Sequence, residues 1–447
     1  MRTERHIVSK AWAATAAGLI VAMIAASPGV AGGATTRRLS VSSGGRQGNA
    51  NSYGATTAGR GRYVVFESNA SDLVRGDTNG VTDIFERNRS TGKTIRVSVS
   101  SGGKQGNGPS HSARGVTPNG RFVVFESFAT NLVPGDTNGT WDVFVRDTVA
   151  RKTYLVSRNS AGREGNRASS DPTISADGRY VAFESFASNL VKGDTNGWVD
   201  AFVRDRRTHT TRRVSVSSRG RQGNENSSDA VISGSGRYVA FESLASNLVR
   251  GDTNGTSDIF VRDMSAHTTR RMSVSSGGAQ GNNAGFIGHH GSHSAAISAN
   301  GRYVAFESFS SNLAKGDTNR VCDVFVRDRA THHTFLVSRN SNGREGNKFS
   351  SDPAISNDGR YVTFESGATN LTRNDTNGKV DVIVRNRAAG RTFRASLSPA
   401  GHQGNGESSD PSISGNGTFI VFESEASNLV AHDTNGRSDV LDRGPIG

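Results

Sequence analysis

A single cysteine, Cys322, in 447 residues excludes an internal disulfide. Buried, that thiol is an inert core group; exposed, it can link two chains. No apolar run after residue 32 is long enough to span a bilayer. Hydrophobic residues make up only 33% of the chain, which suits many thin sheets buried against one another. Several catalytic signatures are absent as well: a Ser-centred nucleophile elbow, a phosphate-cradling Gly-Lys-Ser/Thr loop and a His-Glu-x-x-His metal motif.

The first 32 residues stand apart. Arg2, Arg5 and Lys10 precede an apolar, alanine-rich run from Ala11 to Ala26, and small residues follow around Val30, Ala31 and Gly32. This order predicts an export signal cleaved near residue 31 or 33; the alternative is a retained single anchor. No cysteine there offers a lipid acceptor. Without the charged residues of that segment the formal charge falls from +13 to +11. A basic exported protein can be drawn to anionic polymers or lipids. Its arginines are scattered through recurring positions with no recognition helix, so solvation explains them better than nucleic acid does.

The remaining chain is one phrase written seven times. Glu67, Glu126, Glu184, Glu242, Glu307, Glu365 and Glu423 each sit in Phe-Glu-Ser, 58 residues apart except for intervals of 59 and 65. A repeat of that length with several short alternating segments indicates a propeller or related array. In one copy, Pro172-Thr173-Ile174-Ser175, residues 179–185, residues 200–205 and residues 213–217 read as four strands. Asp-Gly and Asn-Gly pairs provide the turns. Residues 38–42 resemble a fourth strand placed ahead of the first unit, and the last unit stops at residues 439–443 without one. The expected fold is therefore all-β: a seven-bladed β-propeller of four-stranded blades over residues 36–445, with the N-terminal strand completing the last blade and a short tail at 446–447. An open solenoid would leave two ends needing caps.

Gly178-Arg179-Tyr180-Val181-Ala182-Phe183-Glu184-Ser185 and Asp200-Ala201-Phe202-Val203-Arg204-Asp205 closely resemble the TolB-like, WD40-like PD40 propeller repeat in its secreted bacterial form. The resemblance covers residues 36–445. It implies a circular propeller of a kind used in periplasmic or extracellular binding and sometimes fused to enzymes. No separate TolB N-terminal domain or peptidase domain is visible, so it does not imply a translocation component.

Each unit also carries an Asp-Thr-Asn turn with a second aspartate six residues after the first. Asp77, Asn79 and Asp83 could direct oxygens into one pocket with the Val81 carbonyl, as a Ca2+ loop does, and Gly80 allows the bend. The equivalent candidate ligands are Asp136, Asn138 and Asp142; Asp194, Asn196 and Asp200; Asp252, Asn254 and Asp258; Asp375, Asn377 and Asp381; and Asp433, Asn435 and Asp439. The fifth copy, at Asp317, has Arg320 in place of glycine, which argues against an ion there. The competing account is that Asp and Asn simply hydrogen-bond their own turn. The Phe-Glu-Ser glutamates are expected to pair with third-strand arginines (Arg87, Arg146, Arg204, Arg262, Arg327, Arg385 and Arg443) in a structural ring. Gln/Glu-Gly-Asn loops, such as Gln105-Gly106-Asn107, should share one rim with the acidic turns, opposite the basic hairpins.

The repetition breaks between residues 282 and 298, where about seven extra residues include Phe286, His289, His290 and His293. The histidines could ligate a transition metal, although a binding loop or polar insertion accounts for them more simply. Trp141 and Trp198 could stack on a partner or pack between blades. Together these features predict a secreted, non-catalytic binding scaffold for an extracellular protein or a cell-envelope glycan or other polymer, stabilised in one variant by Ca2+. The enzymatic alternative is a polysaccharide hydrolase or lyase using nonequivalent carboxylates on that rim. These motifs do not specify an oligomeric state.

Overall fold

The computed structural model describes residues 34–282 and 291–446; the expected export segment, Phe286, His289 and His290 lie outside them. The described residues form seven four-stranded antiparallel sheets. The third blade shows the plan: Ser169–Ile174, Tyr180–Ser185, Asp200–Asp205 and Thr210–Arg213 pair in order. Its fourth strand lies before the expected 213–217. Val214 and Val216 belong to the segment that leaves the sheet: Val214 N–H still reaches the Ala201 carbonyl, whereas Val216 N–H turns back to Val214.

The seventh blade joins the two ends of the propeller. Ser408–Ile413, Ile420–Ser424 and Asp439–Gly444 are completed by Thr35–Arg38, which pairs antiparallel with the last of them, Thr36 opposite Arg443. The N-terminal strand lies a few residues ahead of the expected 38–42, by the same displacement seen in the third blade. Leu39 N–H still donates to the Val440 carbonyl at 2.7 Å. No open sheet edge is left at this seam.

Alternation explains the packing. In five blades a phenylalanine of the second strand stacks on one of the third, as Phe183 does on Phe202 at 5.8 Å, and both are fully buried. Each apolar layer spans two blades: Val65, Ile84 and Val97 of the first pack with Val123, Phe125 and Phe144 of the second. The Asp177-Gly178 turn needs its glycine twice over. Gly178 has φ +73°, and a Cβ there would stand 2.3 Å from the Phe122 ring of the preceding blade. Cys322 is buried, and burial pushes its thiol up. No described helix is long and apolar enough to cross a membrane.

The expected glutamate–arginine ring does not form. Strands two and three are antiparallel, so Glu67 near the end of one lies opposite Ile84 near the start of the other, while Arg87 lies opposite Val64. The arginines instead reach back to the preceding blade. Arg146 donates to the Ser100 carbonyl and to Thr153 Oγ1, each at 3.0 Å, and Arg443 makes the same link to the Ser398 carbonyl across the last seam.

Candidate functional site

The first strands of neighbouring blades touch one another and surround a central cavity of about 700 Å³. The first strand of every blade is interrupted by an irregularity in pairing. The residue there has left-handed backbone: Gly54, Ser112, Asp171, Asp229, Ser294, Asp352 and Asp410, with φ from 46° to 59°. For residues other than glycine this conformation is costly and recurs where structure is held for function.

The Phe-Glu-Ser glutamates hold these bulges in place across the blade seams. Ser112 N–H donates to Glu67 at 2.7 Å, Asp171 N–H to Glu126 at 2.9 Å, Asp229 N–H to Glu184 at 2.8 Å and Asp352 N–H to Glu307 at 2.8 Å. Burial, with Asp171 and Asp352 adding negative charge nearby, pushes Glu184 and Glu307 up to about 7.

The cavity mouth is acidic although the chain is basic. Glu67, Asp171, Asp229, Asp352, Glu365, Asp410 and Glu423 line it together with one guanidinium, that of Arg114. Arg114 pairs with Asp229 and stands 3.6 Å from Asp171. Confinement between the channel walls raises the carboxyls of Asp352 and Asp410. Seven acids around one cation strongly favour a positively charged occupant. Sequence reasoning passed over this ring. Its signal was the Ser-Ser-Asp opening of four first strands, at Asp171, Asp229, Asp352 and Asp410.

The surrounding rim has the expected two-loop composition. Asn79 Nδ2 donates to the Gly106 carbonyl at 3.1 Å, and Asn138 Nδ2 donates to that of Gly165 at 2.9 Å. The acidic turns and Gln/Glu-Gly-Asn loops are thus stitched together. The opposite rim carries ion pairs such as Arg179 with Asp205 at 2.6 Å. Trp141 leans on Phe128 and His111, and His111 Nδ1 lies 2.8 Å from Glu67; these contacts run from the rim to the cavity. Phe128, Phe186, Trp198 and Leu244 are all more than 40% exposed, so one arc of the rim is apolar. His293 lies 3.1 Å from Glu242 of the preceding blade, the counterpart of the His111–Glu67 contact three blades earlier.

The acidic turns fall into two classes. In five blades an arginine from the fourth strand lies between the two aspartates. Arg96 is 3.0 Å from both Asp77 and Asp83; Arg213 is 3.8 Å from Asp194 and 3.3 Å from Asp200. Arg271 is 3.0 Å from Asp252 and 2.9 Å from Asp258. Arg394 stands 3.0 Å from Asp375 and 3.2 Å from Asp381, and Arg38 stands 3.4 Å from Asp433 and 2.9 Å from Asp439. The asparagines Asn196, Asn254, Asn377 and Asn435 bond the neighbouring loop's glycine carbonyl, as Asn79 does. In these blades the cation between the acids is therefore a side chain. The second and fifth blades have Leu155 and Leu336 in the arginine's place and Glu164 and Glu345 in place of glutamine.

No protein-family model and no curated protein matches the chain. Among solved structures, an oligogalacturonate lyase in complex with manganese superposes with a TM-score of 0.54 over 92% of this chain and 93% of that one, at 11% identity. The β-propeller domain of the trilobed protease from Pyrococcus furiosus gives 0.51 over 85% and 92%, at 10% identity. TolB from Acinetobacter baumannii, at a TM-score of 0.38 and 14% identity over 68% of this chain and 59% of that one, is too remote to carry an argument. At such identities the likeness establishes the fold alone: this chain is a seven-bladed β-propeller.

Proposed function

We propose that this propeller is an extracytoplasmic, non-catalytic binding scaffold whose acidic channel mouth receives a lysine- or arginine-bearing segment of an extracellular protein. The observation that carries the reading is the set of seven carboxylates facing one arginine inside the cavity. A cationic side chain entering it relieves like-charge repulsion in a partly desolvated site. The exposed arc of Phe128, Phe186, Trp198 and Leu244 offers apolar anchors beside the polar mouth, the pairing that specific protein interfaces use. The basic, apolar and small-residue order of the N-terminus supports export. An anionic envelope polymer would meet repulsion at this mouth and fits it less well.

A second reading, cleavage of a polysaccharide, draws on one observation. Glu184, pushed up to about 7 by burial, stands near Asp171, and a protonated acid near a second carboxylate suits glycosidic chemistry. The two readings separate in one experiment. Fluorescence anisotropy with an oligolysine peptide should show salt-sensitive binding that Asp352→Asn with Asp410→Asn weakens several-fold, while an oligoglutamate peptide does not bind. Equal affinity for both peptides would reject the acidic-mouth reading. Reproducible conversion of a glycan, lost in Glu184→Gln, would establish the enzyme instead.

A further inference from the structure

The exchange of an arginine for a leucine in two blades leaves a buried group of acids without a cation. In the fifth blade, oxygens of Asp317, Asp323 and Glu345 lie within 4.8 Å of one another. Asp317 is 8% exposed and Asp323 is fully buried, and Asp317 Oδ1 and Asp323 Oδ2 accept no hydrogen bond. Asp323 Oδ1 is occupied by Ser338, and Glu345 is fixed by the Thr318 amide at 2.8 Å. Arg339, the nearby basic residue of this loop, forms no ion pair with any of the three. Arg320 replaces the turn glycine at φ 59° and is exposed, so it does not enter the pocket, contrary to its expected effect there.

We propose that Asp317, Asp323 and Glu345 bind one hard divalent cation, Ca2+ in the first instance, which does in this blade what an arginine does in five others. Charge supports it. Asp, Asp and Arg sum to −1; Asp, Asp and Glu sum to −3, and a divalent ion restores −1. Chemistry supports it as well, because the donors are all carboxylate oxygens, with no nitrogen or sulfur to favour zinc or copper. Buried carboxylates with free oxygens are expensive without a counter-ion. The second blade has the same residue exchange, but there Asn138 donates to Asp142 Oδ2 at 2.7 Å, so the fifth blade presents the more open ligands. This inference does not depend on the binding function of the channel.

Calorimetric titration of chelator-treated full-length protein with CaCl2 at neutral pH tests it, together with thermal unfolding. The expected result is binding on the order of 0.1–1 mM, as in extracellular Ca2+ modules, and a Ca2+-dependent rise in melting temperature. Glu345→Gln should abolish the fifth-blade isotherm. The pair Leu336→Arg with Glu345→Gln rebuilds the arginine pocket; it should fold without Ca2+ and lose the response assigned to this blade. A wild-type protein that neither binds nor is stabilised by Ca2+, or a rebuilt variant that retains the full response, would overturn the assignment.

Discussion

Arg443 Nη1 donates to Thr36 Oγ1 at 2.8 Å across 407 residues of chain, in the strand pair that closes the ring. Leu39, just beyond that pair, is 3% exposed and packs with Val64, Phe66 and Phe85 of the first blade. The first and last blades are therefore held through the N-terminal strand.

Leu39→Ala should destabilise the folded ring by about 2–4 kcal/mol through lost burial and an unfilled cavity. Denaturant unfolding followed by tryptophan fluorescence measures it. A loss below ~0.5 kcal/mol would show that this seam contributes little.

Arg96 lies between Asp77 and Asp83, and none of the three side chains is more than 10% exposed. Arg96→Leu should cost about 3–5 kcal/mol at neutral pH because it strands two buried carboxylates. Adding Gln105→Glu then gives the first blade the Leu/Glu exchange of the fifth, with an Asp-Asp-Glu acid set, and stability should return only with Ca2+. A double variant insensitive to Ca2+ would mean that the residue exchange alone does not make a cation site.

Glu184 and Glu307 give a pH dependence with a definite sign. Each carboxyl is pushed from its ordinary 4.5 up to about 7, by burial first. Between those values the folded state holds more protons than the unfolded chain, so their contribution falls as pH rises from 4.5 to 7 and levels off above. At the upper limit this is on the order of 3 kcal/mol per glutamate. Glu184→Gln and Glu307→Gln should flatten the stability profile in that window. A profile unchanged by both substitutions would remove these groups as its source.

Trp198 is 42% exposed on the rim. Trp198→Ala should leave the melting temperature nearly unchanged and weaken partner binding by about 1–3 kcal/mol if this arc is the contact surface. Binding of a captured partner measured in parallel with thermal unfolding separates the two effects. Unchanged affinity would move the interface elsewhere.

Much of this architecture is legible in a single repeat. Val181 and Phe183 of one strand and Phe202 of the next fill one buried layer in strands that the structure forms, and the divided seventh unit announces closure. The fourth strands were read too late because Val214-Ser215-Val216 has strong strand character. Val214 and Ser215 are buried, yet the segment leaves the sheet instead of extending it. The arginine pockets had a readable signal that pattern reading overlooked: Arg96 with Gln105 against Leu155 with Glu164, always nine residues apart and exchanging together. The channel ring was harder to see, since an aspartate in Ser-Ser-Asp looks like an ordinary strand opening until a bulge turns it toward the axis.

Alternation, turn chemistry and repeat length act over a few residues, and from them come the strands, their order and the count of blades. Which charges meet is set by ring closure and the stagger between blades. Glu67 meets Ser112 across 45 residues and Arg114 meets Asp229 across 115, while the nearer pairing of Glu67 with Arg87 is denied because an antiparallel hairpin puts them at opposite ends. Local sequence carries no information about that facing, because it is fixed only when seven sheets pack around a common axis.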